Sequence, residues 1–348
     1  AGVPTIVPTR VSAVRSEGSA DVTISGASFV GAPASPALTL FDSPRFTLSA
    51  TTVVGFLDGI YLERSDSVRV VGNRFEQAAR YALHVMFSND VVLEGNTVRG
   101  GNVGSAAMYG RGLRARGNVF AGHTGPLAFG LLIQELAEAE VSGNAFIGNT
   151  VGVLVVSAPD VTISDNLLAD NGFAMLVQRT RTGGTSAVRL QANSFEGNVS
   201  DVALDDPEAA VSVVGNHFEG ASRLDLDHDG VSDVPHLPSS SYDMFASRQP
   251  DLSLFALNPG ILLWQTAEVT VPALRLATLT DAAPALRPSV GAAAAGVVAG
   301  KDTAGPATGA PVGREPTGIG TSTVMALGLV AACVFLGAFL GRPVGESS

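Results

Sequence analysis

Apolar residues along the first two thirds of the chain come in short alternating runs, such as Val161-Thr162-Ile163 and Val153-Leu154-Val155, parted by Gly, Asn, Asp and Ser. An apolar step of two with turn residues at each break predicts short strands. No stretch before residue 220 keeps a 3.6-residue apolar period with helix caps, and the leucine-rich spacing of a horseshoe repeat is absent.

The runs also recur in register. Aligning Val68-Arg69-Val70-Val71-Gly72-Asn73 with its variants sets Asn73, Asn96, Asn118, Asn144, Asn166, Asn193 and Asn216 in one column, at intervals of 23, 22, 26, 22, 27 and 23 residues. Ala27 and Thr51 take the Asn place in two weaker copies. Such a period means stacked units, none of which buries its own apolar face alone. The fold expected is all-β, a right-handed parallel β-helix with one unit per coil. About nine coils at roughly 4.8 Å each make a rod of about 43 Å. Asn suits the recurring turn because it tolerates the left-handed conformation and its amide can bond the Asn of the next coil. A second row, Asn149, Asn171 and Asn198, follows five residues behind, with His123 in the same column.

Residues 1–222 are thus read as the β-helix, irregular at its start where Pro4, Pro8, Pro33 and Pro36 interrupt the pattern. Residues 223–288 form an acidic loop and a closing segment. Within it Asn258 and Pro259 read as the cap and first residue of a helix through Ile261, Leu262, Leu263 and Trp264. That helix either packs along the rod or docks another subunit. Residues 289–318, rich in Ala, Gly, Pro and Thr, read as a flexible linker. Ile319 to Leu340 then gives 22 residues without a charge, enough at 1.5 Å per residue to cross roughly 33 Å of hydrocarbon, followed by a tail of eight residues, 341–348. The topology expected is a rod outside the cytoplasm with the tail inside. The chain starts at Ala1 with neither Met nor a secretion signal, so a processed or trimmed start is expected.

Composition narrows the partners. A net charge of -11 with Lys301 as the single lysine leaves no basic stripe for nucleic acid. Cys333 stands alone in an apolar run, which excludes a disulfide framework and a cysteine metal cluster.

The column alignment places Tyr61 and Glu63, His84 and Met86, Ala106 and Met108, and Leu132 and Gln134 in two common rows that face away from the core. His84, Met86 and Met108 then converge on one outer face. Imidazole plus thioether without thiolate suits Cu(I) better than Zn2+ or Mg2+. The plainer reading is that another segment covers them and they are packing. His123 is read as a hydrogen-bonding turn residue, His217 as exposed and idle, and Met175 as core. The spacing of Asp225, Asp227, Asp229 and Asp233 around Gly230 is what a hard cation such as Ca2+ needs, or else a solvated acidic turn. Polysaccharide chemistry would need paired carboxylates on one outer face, and Asp58, Tyr61, Glu63 and Arg80 are the residues that could supply them.

Arg80-Tyr81-Ala82-Leu83-His84-Val85-Met86-Phe87-Ser88-Asn89-Asp90 resembles the Arg-Tyr-Gly-Leu-His-Tyr-Met-Tyr-Ser/Thr-Asn-Asp segment of the NosD family, with Ala82 in place of a usual Gly. Asp58-Gly59-Ile60-Tyr61-Leu62 resembles that family's preceding coil, Asp227 to Pro235 its acidic loop, and Tyr242 to Pro288 its closing segment, with Asp281, Pro284 and Leu286 matching its end. The resemblance covers about residues 55–290. It implies a non-enzymatic periplasmic or cell-surface protein that supplies copper, or sulfur for the copper cluster, to nitrous-oxide reductase. The partners it implies are a copper chaperone and the permease and ATPase subunits of an ABC transporter, with the membrane reached here through the C-terminal segment. The alternative is a carbohydrate-active or carbohydrate-binding surface β-helix.

Overall fold

The computed structural model of the protein describes residues 5–6, 12–126, 128–206, 208–248, 258–271, 274 and 279–289. They form a parallel β-solenoid of about nine turns with three short strands in most turns. One face is a nine-stranded sheet with one strand from each turn, and the other two strand columns join into a 17-stranded sheet. The expected linker beyond Ser289, apolar span 319–340 and tail 341–348 lie outside the described residues. Among the described residues no helix is long and apolar enough to cross a membrane.

The interior is linear, as stacking requires. Phe29, Phe75, Phe120, Phe146, Phe195 and Phe218, each two residues after the ladder position, are all buried. Neighbouring rings stack where they are adjacent, Phe120 on Phe146 at 5.2 Å and Phe195 on Phe218 at 4.8 Å. Met175 is fully buried, as expected.

Hydrogen bonding within the turns follows the recurring Asn. Each ladder amide accepts at Oδ1 from the preceding ladder residue and donates from Nδ2 to a backbone carbonyl. Asn118 N and Nδ2 reach Asn144 Oδ1 at 2.8 and 2.9 Å, and Asn144 Nδ2 reaches Ala115 O at 2.8 Å. The second row behaves alike, with Asn149 N donating to Asn171 Oδ1 at 3.0 Å and His123 N to Asn149 Oδ1 at 3.0 Å. It is missing two coils earlier because strands Arg74–Met86 and Thr97–Met108 run straight through that corner. A third ladder, which the spacing does not flag, joins Ser43, Ser65 and Ser88 through backbone N–H to hydroxyl bonds of 2.9 Å.

The closing segment ends the Asn ladder. Asp281, fully buried, accepts from Asn216 N at 2.9 Å and Asn216 Nδ2 at 3.2 Å, taking the place of a next Asn. The same contact corrects the reading of His217. Its ring is buried against this segment, with Nδ1 3.0 Å from Ala285 O, so it is neither exposed nor idle. Two helices precede this cap, α1 (Ser241–Ala246) and α2 (Pro259–Thr270). The α2 cap is the expected one, with Asn258 Oδ1 accepting from Gly260 N at 2.9 Å. Both helices lie on the outer face of the larger sheet, where Tyr242, Ala246, Ile261 and Trp264 pack on Leu132, Leu154, Leu176 and Ala203.

Candidate metal centre

Strand Asp58–Glu63 pairs in parallel with the second half of Arg74–Met86, setting Ile60 beside Leu83, Tyr61 beside His84, Leu62 beside Val85 and Glu63 beside Met86. The next coils continue the rows with Ala106 and Met108, then Leu132 and Gln134. Ile60, Leu62, Leu83 and Val85 are core, so alternation along the strand turns the intervening residues to the outer face. These are the rows expected from the spacing. The coils approach closely here. A Cβ on Gly59 would stand 2.4 Å from Ala82 O, which leaves room for glycine alone.

His84 is the centre of the arrangement. It is 7% exposed, and its ring lies against Tyr81 with centroids 4.2 Å apart and against the edge of Tyr61 at 4.9 Å. Neither ring nitrogen has a hydrogen-bond partner. Nδ1 stands 3.8 Å from Asp58 Oδ2, beyond hydrogen-bond length. A buried polar group left open costs about 1–3 kcal/mol unless a water or a ligand meets it.

Asp58 is fully buried beneath this ring. Arg80 Nε donates to Oδ1 at 2.9 Å, Arg80 Nη2 pairs with Oδ2, and Tyr81 N adds a third bond at 3.2 Å. Burial pushes the Asp58 carboxyl up, but the Arg80 bonds and charge outweigh it and hold the group below the usual carboxylate range. Tyr61 Oη donates to Glu63 Oε2 at 2.7 Å, and burial together with Glu63 pushes the phenol up to about 12. The polysaccharide set thus divides into an Asp58–Arg80 pair and a Tyr61–Glu63 pair, and Asp58 has no open side toward solvent. That is not the facing pair of carboxyls a glycosidic bond needs.

Met86 is half-buried, whereas Met108 is 9% exposed and packs with Ala106 and Leu132 in the apolar patch under α1 and α2. His84, Met86 and Met108 therefore share one face, and the covered reading also holds for Met108. One imidazole and two thioethers, with the nearest carboxylate already paired, form a soft donor set. Tyr81 completes the setting but is not visible in the spacing. Alternation counted back from His84 turns residue 81 inward, and the irregularity between Ala78 and Tyr81 brings it out.

The acidic loop is partly assembled. One carboxylate oxygen from each of Asp225, Asp227 and Asp229 lies within 4.8 Å of the others. Asp233 stands outside that group and accepts from Leu226 N at 2.6 Å, closing the loop. His228 and Gly230 make the bend at φ 62° and 88°.

His123 donates its backbone N–H as expected, but its ring is fully buried with both nitrogens unpartnered. Burial pulls the imidazole down to about 4, against the weaker upward pull of the Val98 and Gly101 carbonyls. A group lowered on folding stabilises fully above its unfolded value of 6.5, and that contribution is lost as pH falls from there through about 4. The loss amounts to roughly 3 kcal/mol. His123→Asn, which extends the second ladder, is expected to flatten the stability profile between pH 4 and 6.5 in denaturant titrations; an unchanged profile would refute the assignment.

Residues 20–219 match the family model described as periplasmic copper-binding protein (NosD), which takes in the first coils and stops short of the closing segment. Among solved structures, the periplasmic alginate epimerase AlgG is similar at 13% identity over 57% of this chain and 55% of its own, with a TM-score of 0.45. The catalytic unit of a GH87 α-1,3-glucanase from Streptomyces thermodiastaticus strain HF3-3 is similar at 13% identity over 59% and 49%, with a TM-score of 0.43. The chain spans about half the length of these two structures. No curated protein matches.

Proposed function

Since the chain belongs to the NosD family, we propose that it is a non-enzymatic accessory protein that takes up Cu(I) on the outer face formed by His84, Met86 and Met108. The observation that carries this reading is the His84 ring, buried between two tyrosines with both nitrogens open, in the row next to that of Met86 and Met108 on the same face. Copper is cargo here. It arrives outside the cytoplasm from a copper chaperone and is passed toward nitrous-oxide reductase while the rod is docked on an ABC transporter.

Docking falls to the closing segment. On α2, Leu262 and Leu263 are 44% and 71% exposed, an apolar edge suited to a transporter permease, with its ATPase on the far side of the membrane. The C-terminal apolar segment is the proposed membrane anchor. Asp225, Asp227 and Asp229 are proposed as a calcium loop that stiffens the entry to the closing segment, with Asp233 shaping the loop.

The test is an anaerobic Cu(I) competition titration of the full chain against a chromophoric chelator. Wild type is expected to bind one Cu(I), with affinity at least tenfold weaker in His84→Ala and weaker again in Met86→Ala with Met108→Ala. Equal affinity in wild type and all variants would refute the site, and cleavage of a polysaccharide panel lost in Glu63→Gln would favour the enzyme alternative.

A further inference from the structure

A cavity of about 210 Å3 lies between the last coils and the closing segment, several coils along the rod from His84. Three acidic side chains line it, each from a different element: Asp201 on strand Ser200–Leu204, Asp243 on α1 and Glu268 on α2. No Lys or Arg lines it. Each acid has a local bond. Asp201 Oδ1 accepts from Asn198 Nδ2 at 3.2 Å, Asp243 closes the capping box of α1 with Ser240, and Glu268 accepts from Ser241 N at 3.0 Å.

The bonds to Asp201 and Asp243 supply dipoles and no counter-charge. Ser200, 6% exposed and also lining the cavity, lies beside the Asp243 carboxyl, and its Oγ makes no hydrogen bond of good geometry. The apolar part of the lining comes from Val199, Leu237 and Pro238. A hydrocarbon wall leading to a floor of carboxylates and a free hydroxyl has the shape of a site for a methylene stem with a cationic, hydrogen-donating head.

We propose that this cavity binds a primary alkylammonium group, whose N–H bonds go to Asp201, Asp243 and Ser200 while its stem lies on Val199, Leu237 and Pro238. The ligand is a free amine or a lysine side chain of a partner, and in either case it ties the closing segment to the last coil. Electrostatics agree. Burial, with the charges of Asp243 and Glu219 adding, pushes Asp201 up to about 7 against the Asn198 bond, and burial also raises Asp243, with Glu268 adding to it against the Ser240 and Ser200 contacts. His236, which also lines the cavity, is pulled down by burial and offers no competing positive charge at neutral pH.

Isothermal titration of the full chain with n-butylammonium at constant ionic strength tests this. Binding is expected at pH 8, roughly tenfold weaker at pH 6 where Asp201 is mostly protonated. It should weaken at least tenfold in the isosteric Asp201→Asn, and about threefold in Ser200→Ala, which removes only the hydroxyl. Displacement of n-butylammonium by a lysine-containing peptide would assign the partner side chain; binding of the free amine without displacement would assign a small amine. The proposal is overturned by equal affinity in wild type and both variants, by equal binding of tetramethylammonium, which has no N–H donor, or by binding of CaCl2 where n-butylammonium does not bind.

Discussion

Replacing Asn144 by Ala is expected to destabilise the protein by roughly 4 kcal/mol or more, a large share of the stability of an ordinary domain. Asn144 Oδ1 accepts from Asn118 N at 2.8 Å and Asn118 Nδ2 at 2.9 Å, while its Nδ2 donates to Ala115 O at 2.8 Å and Asn166 Oδ1 at 2.9 Å. Truncation strands Asn118 N, leaves Asn118 Nδ2 with only its bond to Leu93 O at 2.8 Å, and takes a donor from Ala115 O, all in a fully buried turn where a stranded group costs about 1–3 kcal/mol. Asn166 Oδ1 keeps one donor, Asn144 N at 2.9 Å, so the damage runs mainly toward the preceding coil. In a stacked array that interface is a nearest-neighbour term that no distant contact replaces. Glu140→Ala, nearby on the outer face of the smaller sheet, provides the control. Its pair with Arg116 at 2.6 Å is about half exposed on both sides and should contribute under about 1 kcal/mol. Urea titration of the two variants beside wild type checks this. Equal midpoints for Asn144→Ala and Glu140→Ala would refute the ladder's role.

That ladder is also the part of the fold most legible in the sequence. Seven Asn at a near-constant step can be counted without knowing any angle, and the period fixes which residues share a row, so Tyr61, His84 and Ala106 align as found. The Ser43–Ser65–Ser88 ladder obeys the same physics but is hidden, because Ser is common in turns of every kind. The Asp281 cap escapes for another reason. Its partner Asn216 is 65 residues away, and nothing local marks a single Asp as the last rung. The cover over Met108 had a partial signal in Val151–Val156, buried at every position, since a strand apolar on both faces implies a layer outside it. The two helices of the closing segment belong to that layer.

The site itself was half legible. Rows and residue types point to His84, Met86 and Met108, but spacing assigns Asp58 and Arg80 to a different chemistry, because a sequence does not show which carboxylate is buried beneath which ring. Asp58 lies next to the imidazole and opposite the guanidinium, so it belongs to the setting of His84.

Arg80→Ala is therefore expected to cost more than Asp58→Ala at neutral pH, although each removes the same pair. Arg80 has 45% of its side chain in solvent, so losing Asp58 leaves a cation that water can reach. Losing Arg80 leaves the Asp58 carboxylate 0% exposed and uncompensated, a defect of about 3–5 kcal/mol. In wild type the Asp58 carboxyl is held below its ordinary value of 3.8, so its contribution is present above that value and is lost only as pH falls through the lower folded value. In Arg80→Ala the sign reverses. Burial is then the dominant effect, the carboxyl titrates above 3.8, and the variant should recover stability relative to wild type as pH falls from 7 toward 4. The freed carboxylate also has the His84 imidazole beside it, with Nδ1 3.8 Å away. A hydrogen bond between them would take that nitrogen from a metal, so Cu(I) affinity in Arg80→Ala should fall below that of wild type. Denaturant titrations of both variants at pH 7 and 5, with Cu(I) competition at pH 7, read the two effects separately. If Asp58→Ala proves the more damaging at pH 7, Asp58 serves chiefly as the acceptor for Tyr81 N and does not set the charge of the His84 site.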